Sequence, residues 1–508
     1  MQIEVIIEKK SHKLNAEEGK TILETLQEHG IHVLTAPCGG RGRCGKCTVE
    51  VEHMGEVLAC MTKVTDGMRI TIPKVQLRAQ KSKIAENGTV THYPADDGEG
   101  LDAACDIGTT TVVCHLIDGK TGEKLATVSE PSAQRSFGAD VLSRIQAAEA
   151  GKLEILKEQI IFQIAQMLRT LQKKTGRGEQ IQRLAVVGNT VMCHLFAGIS
   201  PVSIGVTPFM PQEFFGKEYT GEQLGLTDCR SVYIAPAVAG FVGGDITSDL
   251  LAVMQKKPKD KVLLLDIGTN GEMAVGNEEQ IYCCATAVGS AFEGAEMAMG
   301  MPAAVGAISH VWLDQRRIRV QVIGDEEACG ICGSGLIDAL AVILEMGLLD
   351  HTGLLKQKQS VSVAYRKYLG EYAGQPCVWL AHKVCVTQED IRGLQLAKAA
   401  FAAGMRILLQ DSHTSYEQLD HVILAGGFGS YLKKESAAAI GLIPKELLPI
   451  TDSVGNAAGE GAVSAAISKK AREQLSIIQK SMHYIELSTH PDFSQEYMNQ
   501  MDFDGSER

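Results

Sequence analysis

Short alternating runs of apolar and polar residues open the chain. IEVIIE (3–8) and a run near KLNAEE (13–18) predict two strands, and TILETLQEHG (21–30) predicts a helix beginning at Thr21. TVEVE (48–52) and RITIP (69–73) predict further strands, and Pro73 ends the unit. Residues 75–100 are polar, contain NGT and YPADDGEG, show little periodicity, and read as a flexible linker.

Beyond residue 100 the pattern changes. AACDIGTTTVVCHLID (103–118) predicts a strand and tight turn. Residues 140–173 place Val141, Ile145, Leu153, Leu156, Ile160, Ile164 and Leu168 at helical spacing. KVLLLDIGTNGEMAV (261–275) then repeats the strand and turn, so DIGT stands at both 106–109 and 266–269. A loop repeated after a second apolar strand predicts a duplicated domain whose halves face each other, 101–260 and 261–470. Residues 471–508 are polar with scattered aromatics and predict an extended tail over the surface.

Composition narrows the class. With 508 residues the chain has room for about three domains. It is 45% hydrophobic and 22% charged, as in ordinary globular proteins. A net charge of −12 argues against nucleic acid, whose binding needs a dominant basic surface. No run of 18 apolar residues and no basic-then-apolar leader is apparent, so a cytoplasmic location without membrane contact is expected. The 14 cysteines are spread through the chain and are expected to be mostly reduced.

Four cysteines cluster in APCGGRGRCGKCTVEVEHMGEVLAC: Cys38, Cys44, Cys47 and Cys60. Four thiolates in one loop suit an iron–sulfur cluster, and Gly39, Gly40, Gly42 and Gly45 let the loop curl with its amides inward. Zinc is the rival reading, but zinc ribbons carry two C-x2-C pairs and only Cys44 and Cys47 pair here. GRGRCGKC (40–47) nearly matches a P-loop, yet Cys47 replaces the Ser/Thr and a strand follows instead of a helix. Arg41, Arg43 and Lys46 read as ordinary surface charges. Cys329 and Cys332 read as buried small residues, and Cys283 and Cys284 as strand core. The N-terminal unit resembles a [2Fe–2S] ferredoxin domain, which implies a β-grasp, ferredoxin-like α+β fold.

Each DIGT turn joins a carboxylate to consecutive free N–H groups, a nest for phosphate with Mg²⁺ held beside it. Asp106, Gly108, Thr109 and Thr110 form one nest, and Asp266, Gly268, Thr269 and Asn270 the other, with Asp106 and Asp266 toward Mg²⁺. VILAGGFGSYL (422–432) supplies Gly426, Gly427 and Gly429 for close backbone approach to a nucleotide. CGICGSGLIDALA (329–341) supplies Gly333 and Ser334. Glu272 and Asp245 are the candidates for orienting the hydrolytic water; their plainer readings are a solvated hairpin residue and a helix N-cap.

The order of these loops resembles the actin–hexokinase–Hsp70 ATPase superfamily, implying a duplicated ribonuclease-H-like α/β domain. VVGNTVMCHLFAG (186–198) and VGNAAGEGA (454–462) resemble its connecting segments, where helices of the two halves cross beneath the cleft. The full set, with FVGGDI, AFEGAEM and the tail IELSTHPDFSQEYMNQMDF, resembles the ATP-dependent reductive activators of corrinoid proteins. That resemblance implies ATP, Mg²⁺ and a [2Fe–2S] cluster as cofactors. It also implies one-electron reduction of a corrinoid protein from Co(II) to Co(I). The partners are that corrinoid protein and an external low-potential electron donor, since no GxGxxG follows a strand here. A homodimer is a further expectation. The alternative function is an ATP-dependent chaperone or kinase of the same superfamily with a structural or redox-sensing cluster.

Overall fold

A computed structural model describes the chain except for residues 9, 32, 35, 74–91, 256, 269, 290–291, 293–296, 430 and 504–508, and the side chain of Phe428. The N-terminal unit is a five-stranded sheet of order β2-β1-β5-β3-β4. Its strands are β1 (Gln2–Ile7), β2 (Lys10–Asn15), β3 (Thr48–Val51), β4 (Gly55–Leu58) and β5 (Arg69–Thr71). Helix α1 (Ile22–Glu28) closes its core of Val5, Ile22, Leu26, Val49 and Ile70. Thr21 starts α1 as expected. Its hydroxyl accepts from Glu24 N while Glu24 Oε2 accepts from Thr21 N at 2.9 Å, a reciprocal cap contributing about 1 kcal/mol.

The first half of the body carries β6 (Leu101–Ile107), β7 (Thr111–Asp118), β8 (Lys124–Pro131), α2 (Val141–Ala147), α3 (Leu153–Thr175) and β9 (Ile181–Val187). It continues with α4 (Thr190–Ala197), β10 (Lys217–Thr220), β11 (Cys229–Ile234) and α5 (Gly244–Met254). Its sheet runs β10-β11-β9-β6-β7-β8. The helical pattern expected across 140–173 is broken at Gly151, whose φ of 84° leaves the helical region.

The second half begins with β12 (Val262–Ile267), β13 (Gly271–Gly276) and β14 (Ile281–Thr286). Inserted between these and the rest are two small sheets. One holds β15 (Ala307–Asp314), β16 (Arg317–Val322) and β17 (Gly330–Ile331), followed by α6 (Gly333–Glu345). The other holds β18 (Leu369–Tyr372), β19 (Gln375–Ala381) and β20 (Val384–Thr387). Then come α7 (Gln388–Asp411), β21 (His421–Ala425), β22 (Thr451–Gly455), α8 (Ala457–Ile467), α9 (Lys469–Ser481), β23 (Met482–Ile485) and α10 (Phe493–Asn499). The main sheet runs β22-β21-β12-β13-β14-β23.

The duplication is explicit in the ladders. β12 pairs antiparallel with β13 and parallel with β21. β6 pairs antiparallel with β7 and parallel with β9 in the same way. The halves meet through α5 and α8, which share a core of Ile246, Leu250 and Val463 with Ala104, Val187, Leu264 and Ala274. The crossing is close because residue 461 is glycine: a Cβ there would stand 2.3 Å from Ser248 O. This corrects the connecting-segment assignment. Segment 454–462 does open a crossing helix, but its partner is α5, which begins within FVGGDI (241–246). The helix of 186–198, α4, packs its apolar face within the first half's core.

The extended tail expected over 471–508 is also corrected. α9 buries Ala471, Leu475 and Ile478, and β23 joins the main sheet beside β14. Lys398 Nζ on α7 donates to Gln500 O at 2.5 Å and Asp502 O at 2.7 Å, while Phe503 is buried. Most of the expected linker lies outside the described residues. Its last residues are docked: Asp96 and Asp97 N–H groups meet Ile467 O, and Asp97 pairs with Arg472.

Candidate functional site

Two sites emerge, one on the N-terminal unit and one between the halves. In the first, the cysteine loop curls with positive φ at Gly39 (64°), Gly40 (83°), Gly42 (71°) and Gly45 (65°). A side chain at these angles would be strained, so glycine permits the curl. Cys38 Sγ and Cys44 Sγ lie 3.4 Å apart, and Cys47 is within hydrogen-bond reach of Cys60. All four thiols are free. Burial pushes the Cys38 thiol up, but amides of Cys44, Arg43 and Arg41 outweigh it and bring it down to about 7. Amides aimed at sulfur are what a thiolate-held cluster requires, so the donor set fits an iron–sulfur group.

This loop is seated on the body. Gln27 Nε2 donates to Ser136 O at 2.5 Å, and Ala139 N to Pro37 O at 3.1 Å. Arg41 bonds Gln146, and Lys46 Nζ donates to Met297 O (2.9 Å) and Gly300 O (3.3 Å). Arg41 and Lys46 are therefore docking groups, not idle surface charges.

The second site lies where β6 and β12 end. Asp106 and Asp266 are the penultimate residues of these strands, and each DIGT turn is a hairpin turn into the next strand. Gly108 is needed because a Cβ there would lie 2.6 Å from Thr111 O. Thr109 is buried and accepts from Asn189 Nδ2 at 3.0 Å; the Thr110 carbonyl accepts from Ser132 N. Gly268 N donates to Asn270 O at 2.9 Å, and Thr269 lies outside the described residues. Within AFEGAEM (291–297), residues 291 and 293–296 are likewise outside them.

Acidic groups converge on this cleft. Asp245 stands in the first turn of α5, its N–H on Gly188 O, and Glu272 sits opposite Asp266 on β13. The plainer readings of both fail, since Glu272 is buried and the N-cap of α5 is Gly243. Asp249, one turn after Asp245, completes the group. Burial pushes Asp106 up to about 7 and Asp245 up to about 8, with the Asp266 charge adding to each. Burial lifts Asp266 to about 6 and raises Asp249 and Glu272 well above the carboxylate range. Among the described residues no N–H or hydroxyl donor reaches either Asp249 oxygen, and the group facing it is the Asp266 carboxylate. The two can bond only when one is protonated. Carboxylates so placed suit a divalent cation, which would remove their mutual repulsion.

The third loop closes on the same point. Gly426 has φ 85°, and a Cβ on it would lie 2.3 Å from Asp266 Oδ1. This is a cradle that only glycine leaves open. Gly427 is exposed, and Gly429 is buried with its carbonyl accepting from Ser453 Oγ at 2.9 Å. Gly333 and Ser334 open α6, but the Ser334 hydroxyl goes to Ser309 O at 3.0 Å and Cys332, and its described bonds reach neither DIGT turn. Cys332, Cys283 and Cys284 are buried, whereas Cys329 is exposed, contrary to expectation.

Sequence reasoning missed four residues here. Asn189 holds Thr109, and Asn456 Nδ2 donates to Asp106 Oδ2 at 2.9 Å while capping α8. Both follow a glycine, so the repeated Gly-Asn of 188–189 and 455–456 was the available signal. Asp249 was signalled by DITSD, which puts two carboxylates one turn apart. Arg144, fully buried, reaches the Thr109 carbonyl, and nothing in its sequence context marks it.

Comparison with known proteins agrees in architecture. Residues 260–508 match the family model described as the C-terminal domain of RACo, the ASKHA domain, and 101–257 match the RACo middle region. Residues 4–74 match a 2Fe-2S iron–sulfur cluster binding domain. The corrinoid activation enzyme RamQ of Eubacterium limosum is 31% identical over 92% of this chain and 93% of its own length. A reductase of the Co(II) methylated amine-specific corrinoid protein from Methanosarcina barkeri is 26% identical over 67% of this chain and 65% of its own. The solved structure of a reductive activator for a corrinoid, iron–sulfur protein superposes with TM-score 0.72 at 28% identity, covering 99% of this chain and 98% of that one.

Proposed function

The chain belongs to the RACo family, and from that premise we propose that it is an ATP-dependent reductive activator returning a corrinoid protein from Co(II) to Co(I). The observation that carries the reading is the joining of a four-cysteine, amide-lined loop to a two-lobed body whose duplicated acidic turns face one cleft. We take 1–74 as the electron head and 101–260 and 261–470 as the lobes. An external low-potential donor supplies one electron, which the cobalt of the partner accepts. The partner meets the chain in the cytoplasm, and a homodimer is compatible with this role.

The cluster, when bound, supplies single-electron transfer at low potential. Cys38, Cys44, Cys47 and Cys60 would hold it. Asp106 and Asp266 would face Mg²⁺, while the amides of 108–110 on one side and of Asn270 on the other would meet phosphate. Gly426 and Gly427 admit the nucleotide beside Asp266. Glu272 is buried and Asp245 half-buried next to these groups, and one of them orients the attacking water. Coupling to ATP has a thermodynamic reason: each 59 mV by which an electron transfer runs uphill costs about a factor of ten in equilibrium.

Two variants test the division of labour. Cys44→Ser should lose the visible absorption of the cluster and all cobalt reduction yet bind nucleotide normally. Asp266→Asn should keep the cluster spectrum and lose Mg-ATP turnover. Reduction at the wild-type rate by either variant would contradict the assignment.

A further inference from the structure

Arg144 on α2 is completely buried. Its Nη2 donates to the Thr109 carbonyl, in the first DIGT turn, and to Gly138 O at 3.3 Å; its Nε also points to Gly138 O, at 3.4 Å. Nη1 reaches Met192 Sδ at 2.8 Å on α4, whose N-cap Asn189 holds the Thr109 hydroxyl. One residue past Gly138, Ala139 N–H donates to Pro37 O, and Pro37 precedes Cys38. On α2 itself, Ser143 lies against the cysteine loop, its Cβ 3.7 Å from where a Gly39 Cβ would stand. One rigid fork thus ties the phosphate turn to the backbone on which the cysteine loop rests.

The other anchor is on the opposite lobe, where Lys46 grips the carbonyls of Met297 and Gly300. The head therefore straddles both lobes, and both grips are satisfied only at one lobe separation. The acidic cleft lies between the same two lobes, with Asp106 on one and Asp266 on the other. Its carboxylates repel one another, and a bound Mg-nucleotide would draw the two DIGT turns toward itself.

We propose that Arg144 is the positioning residue through which nucleotide at the first DIGT turn unseats the ferredoxin head. This rests on reading the cleft as a nucleotide site. Linkage makes the effect reciprocal, so loosening the seat tightens nucleotide binding by the factor with which nucleotide loosens the seat.

Hydrogen exchange of the full, cluster-loaded chain under anaerobic conditions, with and without a Mg-bound non-hydrolysable ATP analogue, tests it. In the wild type, 105–112 should become protected while 36–47 and 136–140 exchange faster. Arg144→Lys keeps the charge but loses the fork; its 105–112 segment should still be protected and its head segments should no longer respond. Gln27→Met cuts only the head-to-body bond at Ser136, and should bind the analogue at least about 5-fold more tightly. A wild type protected at 105–112 with unmoved head segments would overturn the proposal. So would a full head response in Arg144→Lys, or unchanged affinity in Gln27→Met. If Arg144→Lys does not fold, the wild-type and Gln27→Met arms decide. Absence of protection at 105–112 in the wild type would instead strike the nucleotide reading itself.

Discussion

His115 illustrates how a single side chain records the burial of the first lobe. It sits in the middle of β7 with no exposed surface, its Nδ1 on Thr127 Oγ1 at 2.9 Å and its Nε2 without a partner among the described residues. Burial brings its pKa from 6.5 down to about 4. Below pH 6.5 the unfolded chain takes up a proton that the native state refuses, so stability falls as pH drops toward 4. A gap of this size is worth about 3 kcal/mol over the whole window. His115→Asn should remove this dependence: denaturant titrations at about pH 7 and pH 5 should show the wild type losing about 2 kcal/mol more than the variant. Equal losses would contradict the account. The residues legible in the sequence were those with distinctive chemistry in a repeated or clustered pattern, the four cysteines and the two DIGT aspartates. Arg144 was not, because a charge buried inside a helix has the same local sequence as a charge facing water.

At the scale of elements, the contact between α5 and α8 holds the lobes together. Gly461→Leu would drive a side chain into Ser248 O, where even a Cβ stands at 2.3 Å. The expected cost is about 1–3 kcal/mol of overpacking, read as a lower denaturation midpoint, with nucleotide affinity also reduced because the cleft is built on this crossing. A variant as stable as the wild type would show that the helices do not bear on each other here. The strand–turn pairs were legible because each repeats an apolar run ending in Asp-Ile-Gly-Thr. The crossing helix was misassigned because 186–198 and 454–462 share Gly-Asn and a helical pattern, and only the three-dimensional approach at Gly461 separates them. The C-terminal tail looked unstructured because α9 buries a narrow stripe in a mostly polar helix, and β23 gains its hydrogen bonds from a strand 200 residues earlier.

For the whole molecule, the order of head, linker and two lobes could be read from motif order, but the seating of the head could not. Arg41 and Lys46 look like solvated charges until the partners they reach, Gln146 and the carbonyls of Met297 and Gly300, are seen on two different lobes. That seating changes the picture from an electron carrier tethered to an ATPase to one held against both of its lobes. The central claim is that nucleotide chemistry in the cleft governs electron delivery from the head. It is tested most directly by reducing the protein anaerobically, adding a corrinoid protein in its Co(II) form, and following the Co(I) absorption band with and without Mg-ATP. The account predicts that the band grows only when Mg-ATP is present; growth at the same rate and to the same extent without nucleotide would contradict it.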